Sequence, residues 1–118
     1  MAKGFLRHAP GGPEAINDAS FADDISDPGQ TYVIEFWSAG CAACERIAGE
    51  LSVVFGSNPT ITIYTANVDE EPELASRCRV MALPAVLVFR CDAEVFRSHS
   101  PDAPRVVAAF INGNADIR

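Results

Sequence analysis

The sequence holds no apolar run approaching the roughly 20 residues that a membrane-spanning helix needs. It has no basic run either: nine Lys and Arg stand against sixteen Asp and Glu, a formal net charge of −7. A chain this acidic repels nucleic-acid phosphates and anionic membranes, so neither is expected as a partner. Internal repeats and low-complexity tracts are also missing, which excludes repeat arrays and biased linkers. The opening MAKGFLRHAPGGPEA carries Lys3 and Arg7 but no apolar stretch behind them. A secretory signal is therefore not expected, and a cytoplasmic location is. Cysteine is scarce: four in 118 residues are too few for a disulfide scaffold.

What is present suits one globular domain with a core of its own, at 48 % hydrophobic residues. Residues 1–13 read as a flexible arm, 14–113 as the domain and 114–118 as a tail. Glu14 to Ile16 fit a short edge strand, and NDASFADDIS a short helix capped by Asn17 or Asp18. After the turn DPGQ comes a strand, TYVIEFW, at 31–37. A helix from Cys41 to about Phe55 follows, with Ile47, Leu51, Val54 and Phe55 on one face. The β-branched TITIYTANV (60–68) is a second strand, and DEEPELASRC (69–78) a helix with Pro72 in its first turn. PAVLVFR (84–90) is almost continuously apolar, as a strand buried on both faces is. CDA turns it into EVFRSH (94–99) as a hairpin, and a last helix spans Pro104 to Ile111. This alternation predicts an α/β domain whose mixed sheet is parallel in the middle and antiparallel at the hairpin.

Cys41 and Cys44 sit on the corner between the first long strand and its helix, with only Ala42 and Ala43 between them. Three readings compete: a redox pair, half of a zinc site, or two ordinary buried cysteines. Zinc needs four ligands, or three and an open position. Cys78 and Cys91 form no second C-x-x-C, and His8 and His99 have no helpful spacing, so no metal is expected. Position weakens the third reading. The first turn of a helix places backbone N–H groups and the positive dipole end beside a sulfur, which stabilises a thiolate. A second cysteine one turn inward can reach back to attack a mixed disulfide. A second signal is VMALPAVLVF, where Pro84 opens a predicted strand. Proline there fits an edge or a special bend, and its peptide bond can be cis, unless Pro84 simply ends the preceding loop. Cys78 is expected in the core, and Cys91 exposed and inert in a hairpin turn.

Taken together, these segments resemble the thioredoxin family from about Ile16 to Ile111. EFWSAGCAAC is similar to the family's strand-ending aromatic pair and C-x-x-C corner. NVDEEPELASRCRV is similar to its strand–Asp–helix segment, and MALPAVLVF to its cis-proline strand. The resemblance implies the thioredoxin fold, a central mixed sheet flanked by helices on both faces, and thiol–disulfide exchange with no bound cofactor. Cys41 would be the attacking thiol and Cys44 the resolving one. Leu83–Pro84 would be a cis step beside the sulfurs, offering backbone hydrogen bonds to a substrate chain. Trp37 and Gly40 would border that site, with Trp37 packed beneath it. Glu35 falls where the family has a buried Asp, and would accept the proton of Cys44, its pKa raised by burial. The other reading of Glu35 puts it on the solvated face of an edge strand. Implied partners are disulfide-containing proteins and a reductase as electron donor, with the chain acting as a monomer.

The sequence also departs from the family pattern. Gly40 stands where a Trp usually precedes the first cysteine, and Ala42-Ala43 where Gly-Pro usually lies between the two. Glu45 replaces a common Lys, Thr65 a Lys beside the buried carboxylate, and Gly49 the proline that kinks the helix. A groove-lining glycine is missing around His99-Ser100. Two cations lost and one anion gained leave Cys41 less ionised at neutral pH, which by this effect makes the pair more reducing. Two rivals to a general reductant remain: a thioredoxin-like protein serving a single partner, and a binding or chaperone-like module without turnover.

Overall fold

The computed structural model describes residues 13–113. The expected arm, apart from Pro13, and the tail lie outside the described residues, as does His8. In chain order the elements are β1 (Glu14–Ala15), α1 (Phe21–Asp24), β2 (Thr31–Trp37), α2 (Ala42–Phe55), β3 (Ile61–Asn67), α3 (Pro72–Arg77), β4 (Ala85–Arg90), β5 (Ala93–Ser98) and α4 (Ala103–Ile111). The strands make one sheet in the order β1-β3-β2-β4-β5. β1 and β3, and β3 and β2, pair in parallel. β4 runs antiparallel to both β2 and β5.

β2 is central, and Tyr32 through Phe36 are all buried. Burial on both faces explains its lack of polar alternation. On one face Ile34, Phe36 and Leu87 pack with Phe21, Leu74 and Cys78. On the other Val33, Val86 and Val88 meet Ile47, Leu51 and Phe55 of α2 and Val107 of α4. Helices thus cover both faces, as the resemblance implied. Each large apolar side chain buried this way contributes roughly 1.5–3 kcal/mol.

Several boundaries differ from the sequence reading. α1 is four residues long and its N-cap is Ser20 rather than Asn17 or Asp18. Ile16 N–H is still paired to Thr65 in β3 at 2.9 Å, so the chain cannot turn helical until it leaves the sheet. Asn17 Oδ1 instead accepts from Ser20 N–H at 2.9 Å. α3 starts only at Pro72, because Asn67 holds a turn by accepting from the amides of Asp69, Glu70 and Glu71. β4 begins at Ala85, one residue past Pro84, whose nitrogen has no hydrogen to donate. The hairpin turn is Cys91-Asp92, with φ of 52° and 67°. Two consecutive left-handed residues match the strand twist, so β5 starts at Ala93. Val54 is 46 % exposed, not part of the core face. The buried stripe of α2 runs Cys44, Ile47, Leu51, Phe55, and Val54 lies off its edge.

Candidate active site

The segment between β2 and α2 turns through Ser38 and Gly40. Cys41 N–H donates to Ser38 O at 3.1 Å. Gly40 has φ of +87°, while a Cβ built there would meet nothing within 4 Å. Backbone conformation, not space, therefore calls for glycine at this position. Cys41 then serves as the N-cap of α2 rather than its first residue, and its Sγ accepts from Cys44 N–H at 3.2 Å. An amide aimed at the sulfur and the positive end of a 14-residue helix both favour a thiolate there.

Cys41 and Cys44 are joined as a disulfide, with Cα atoms 5.3 Å apart. Their exposures differ. Cys41 is half-buried, whereas Cys44 is 1 % exposed and its Sγ lies 3.8 Å from Phe36 O. Only Cys41 presents its sulfur to a substrate from outside.

Beneath them, strand alternation puts Glu35 on the α2 side of β2, between Val33 and Trp37. Glu35 is fully buried on a central strand, so the solvated edge-strand alternative is excluded. Among the described residues neither of its carboxyl oxygens has a hydrogen-bond partner. Burial pushes its pKa up to about 8. Its register partner on β3 is Thr65, which is buried as well and whose hydroxyl also has no partner among the described residues. No basic side chain forms an ion pair with Glu35 among the described residues. A cavity of about 270 Å³, lined by Glu35, Trp37, Cys44, Glu45, Ala48 and Thr65 among others, brings the carboxyl group and the inner cysteine onto one space. Trp37 is half-buried at the end of β2 and forms part of its wall.

The Leu83–Pro84 peptide is cis. The register Phe36↔Ala85 sets Pro84 at the end of the sheet where β2 hands over to the cysteine corner. Met81, 88 % exposed, precedes it. Sequence reasoning passed over Met81, because an isolated apolar residue carries no pattern. It weighed His99 as a metal ligand and as the place of a missing glycine, yet His99 Nδ1 lies 3.2 Å from Pro84 O.

The remaining cysteines stand apart from this site. Cys78 is buried, and desolvation pushes its thiol up to about 11. Cys91 is exposed in the β4–β5 turn, at the opposite end of the sheet from Cys41. Among the described residues no group of three or more His, Cys, Asp and Glu could hold a metal ion.

Glu45 occupies the first turn of α2 and is exposed. Glu45→Lys is expected to raise the thiolate fraction of Cys41 at neutral pH in the reduced protein, read by thiolate absorbance. The change is a few tenths of a pH unit in the titration midpoint, the scale of exposed charge effects. An unchanged titration would remove the electrostatic argument.

A family model described as Thioredoxin matches residues 12–112. The chain is 29 % identical over 76 residues to a thioredoxin of Mycobacterium tuberculosis, covering 64 % of this chain and 66 % of that protein, just under two thirds of its length. It is 26 % identical over 76 residues to a bifunctional thioredoxin reductase/thioredoxin of Mycobacterium leprae, covering 64 % of this chain and 17 % of that protein. The crystal structure of thioredoxin from Trypanosoma brucei brucei superposes with a TM-score of 0.77 at 17 % identity, covering 94 % of this chain and 97 % of that one. At that identity the likeness speaks for the fold.

Proposed function

The chain belongs to the thioredoxin family and carries a thiol–disulfide oxidoreductase site, and from that premise we propose that it reduces disulfides of protein substrates, as a cytoplasmic monomer. The observation that carries this reading is the Cys41–Cys44 pair at a helix N-terminus, one sulfur accessible and the other facing the cavity of a buried carboxyl group.

The reaction follows from that geometry. The Cys41 thiolate attacks one sulfur of a substrate disulfide, forming a mixed disulfide and releasing a substrate thiolate. The Cys44 thiol passes its proton to the Glu35 carboxylate and attacks Cys41 Sγ. The Cys41–Cys44 disulfide closes, and the second substrate sulfur leaves as a thiolate that takes up a proton. Two electrons have moved from the protein to the substrate. With Glu35 held near 8, only about a tenth of it is ionised at pH 7, so resolution speeds up as pH rises toward 8. Leu83–Pro84, Trp37 and Gly40 border the place where the substrate chain would lie. A reductase restores the dithiol. The Mycobacterium leprae relative, whose name joins thioredoxin reductase to thioredoxin, supports that choice of donor.

Service to a single partner is the second reading, favoured by the small side chains at Gly40, Ala42 and Ala43. Insulin reduction, with dithiothreitol and then with a thioredoxin reductase and NADPH, separates the two. Ready turnover supports the general reductant. Capture of one protein by Cys44→Ser, without insulin turnover, supports the specialist. No reaction with either overturns both and leaves a binding module.

A further inference from the structure

The β4–β5 ladder ends at Val86↔Ser98, so the carbonyl of Pro84 lies past its last rung. The imidazole of His99 takes up that carbonyl, with Nδ1 at 3.2 Å. A carbonyl oxygen only accepts, so Nδ1 carries the hydrogen, in the neutral ring as in the imidazolium. The ring's base is itself fixed. Ser98 Oγ accepts from Ser100 N–H at 3.1 Å, and Ser100 Oγ from Asp102 N–H at 2.9 Å. Such side-chain-to-backbone bonds hold the turn after β5 without a ladder. On its inner side, Leu83 packs against the core shared by β2, β4, α1 and α3. The Leu83–Pro84 segment is thus held from within by the apolar contact of Leu83 and from without by one hydrogen bond to the Pro84 carbonyl.

We infer that His99 is a positioning residue for substrate capture, its Nδ1–H holding the Leu83–Pro84 segment in the conformation against which an incoming polypeptide disulfide docks. This rests on the proposed reductase activity, in which that segment meets the substrate backbone. The imidazole acts on docking and not on the sulfur chemistry. A small disulfide that needs no backbone pairing is therefore indifferent to it.

The test compares the full chain with His99→Ala, His99→Asn and His99→Gln, using insulin and the small aromatic disulfide DTNB as substrates. An Asn amide can reach the position of Nδ1, whereas a Gln amide reaches that of Nε2. His99→Ala is expected to raise KM for insulin about fivefold, the scale of one neutral hydrogen bond, with kcat within about twofold and the DTNB rate unchanged. His99→Asn restores KM and His99→Gln does not. An unaltered KM in His99→Ala, equal slowing with DTNB, or rescue by Gln as good as by Asn each overturns the inference. Should His99→Ala fail to fold, seen as a lost unfolding transition, the Asn–Gln comparison decides in the same way. A parent chain that reduces DTNB but not insulin overturns the general-reductant reading on which this inference rests, and this inference with it.

Discussion

Cys41→Ser is expected to lower insulin reduction by about 10³-fold or more, to the background set by dithiothreitol alone. A serine hydroxyl does not ionise near neutral pH, and the first bond of the exchange cannot form without a thiolate. No other cysteine stands in for it. Cys44 is 1 % exposed, beyond reach of a folded substrate. Cys78 is buried with its thiol pushed up to about 11, so it is almost wholly protonated at pH 7. Cys91 is exposed, but it sits on the hairpin at the far end of the sheet, with no helix N-terminus beside it. Cys44→Ser behaves differently: the first attack proceeds, and a mixed disulfide accumulates through Cys41. Turnover of Cys41→Ser within tenfold of the parent would show that another thiol does the work.

The second large effect is on stability. Glu35 is fully buried, without a partner among the described residues, and has a folded-state pKa of about 8 against an ordinary 4.5. Between those values the folded state holds a proton that the unfolded state has released. Unfolding is then favoured as pH rises, by up to about 1.4 kcal/mol per pH unit. The loss begins above pH 4.5, is on the order of 3 kcal/mol by pH 7, and levels off beyond about pH 8. Glu35→Gln keeps the shape and stays neutral throughout. It is expected to match the parent near pH 4.5, and to exceed it by roughly 3 kcal/mol at pH 7 in urea unfolding. The same substitution removes the proposed proton acceptor, so resolution of the mixed disulfide is expected to slow even as the fold gains stability. Parallel stability curves for parent and variant from pH 4.5 to 8 would show that Glu35 is not buried as a neutral acid.

The contrast between these two residues shows where the sequence was legible. Cys41 and Cys44 announce themselves by spacing and by their place at a strand-to-helix corner, and Pro84 by its place before an apolar strand. The long strands were readable because burial on both faces leaves runs such as VIEF and AVLVF. Glu35 was ambiguous, since a carboxylate inside such a run fits either a solvated edge or a buried acid. Only the position of β2 between β3 and β4 decides it. Short elements were misjudged where tertiary pairing overrides local propensity. Ile16 is held by β3, which cuts α1 to four residues. Val54 follows the helical period yet lies off the stripe that α2 turns to the sheet. His99 could be noted as a departure from the family pattern, but its hold on Pro84 joins two residues 15 positions apart, which no local pattern shows.

The most direct test of the account is a single turnover of fully reduced protein against equimolar insulin, followed by peptide mass mapping of every cysteine. The account predicts one substrate disulfide lost per chain oxidised, with the new protein disulfide joining Cys41 to Cys44 while Cys78 and Cys91 remain thiols. A Cys41–Cys44 pair still reduced after the substrate disulfide has gone, with the oxidation found at Cys91, would contradict it.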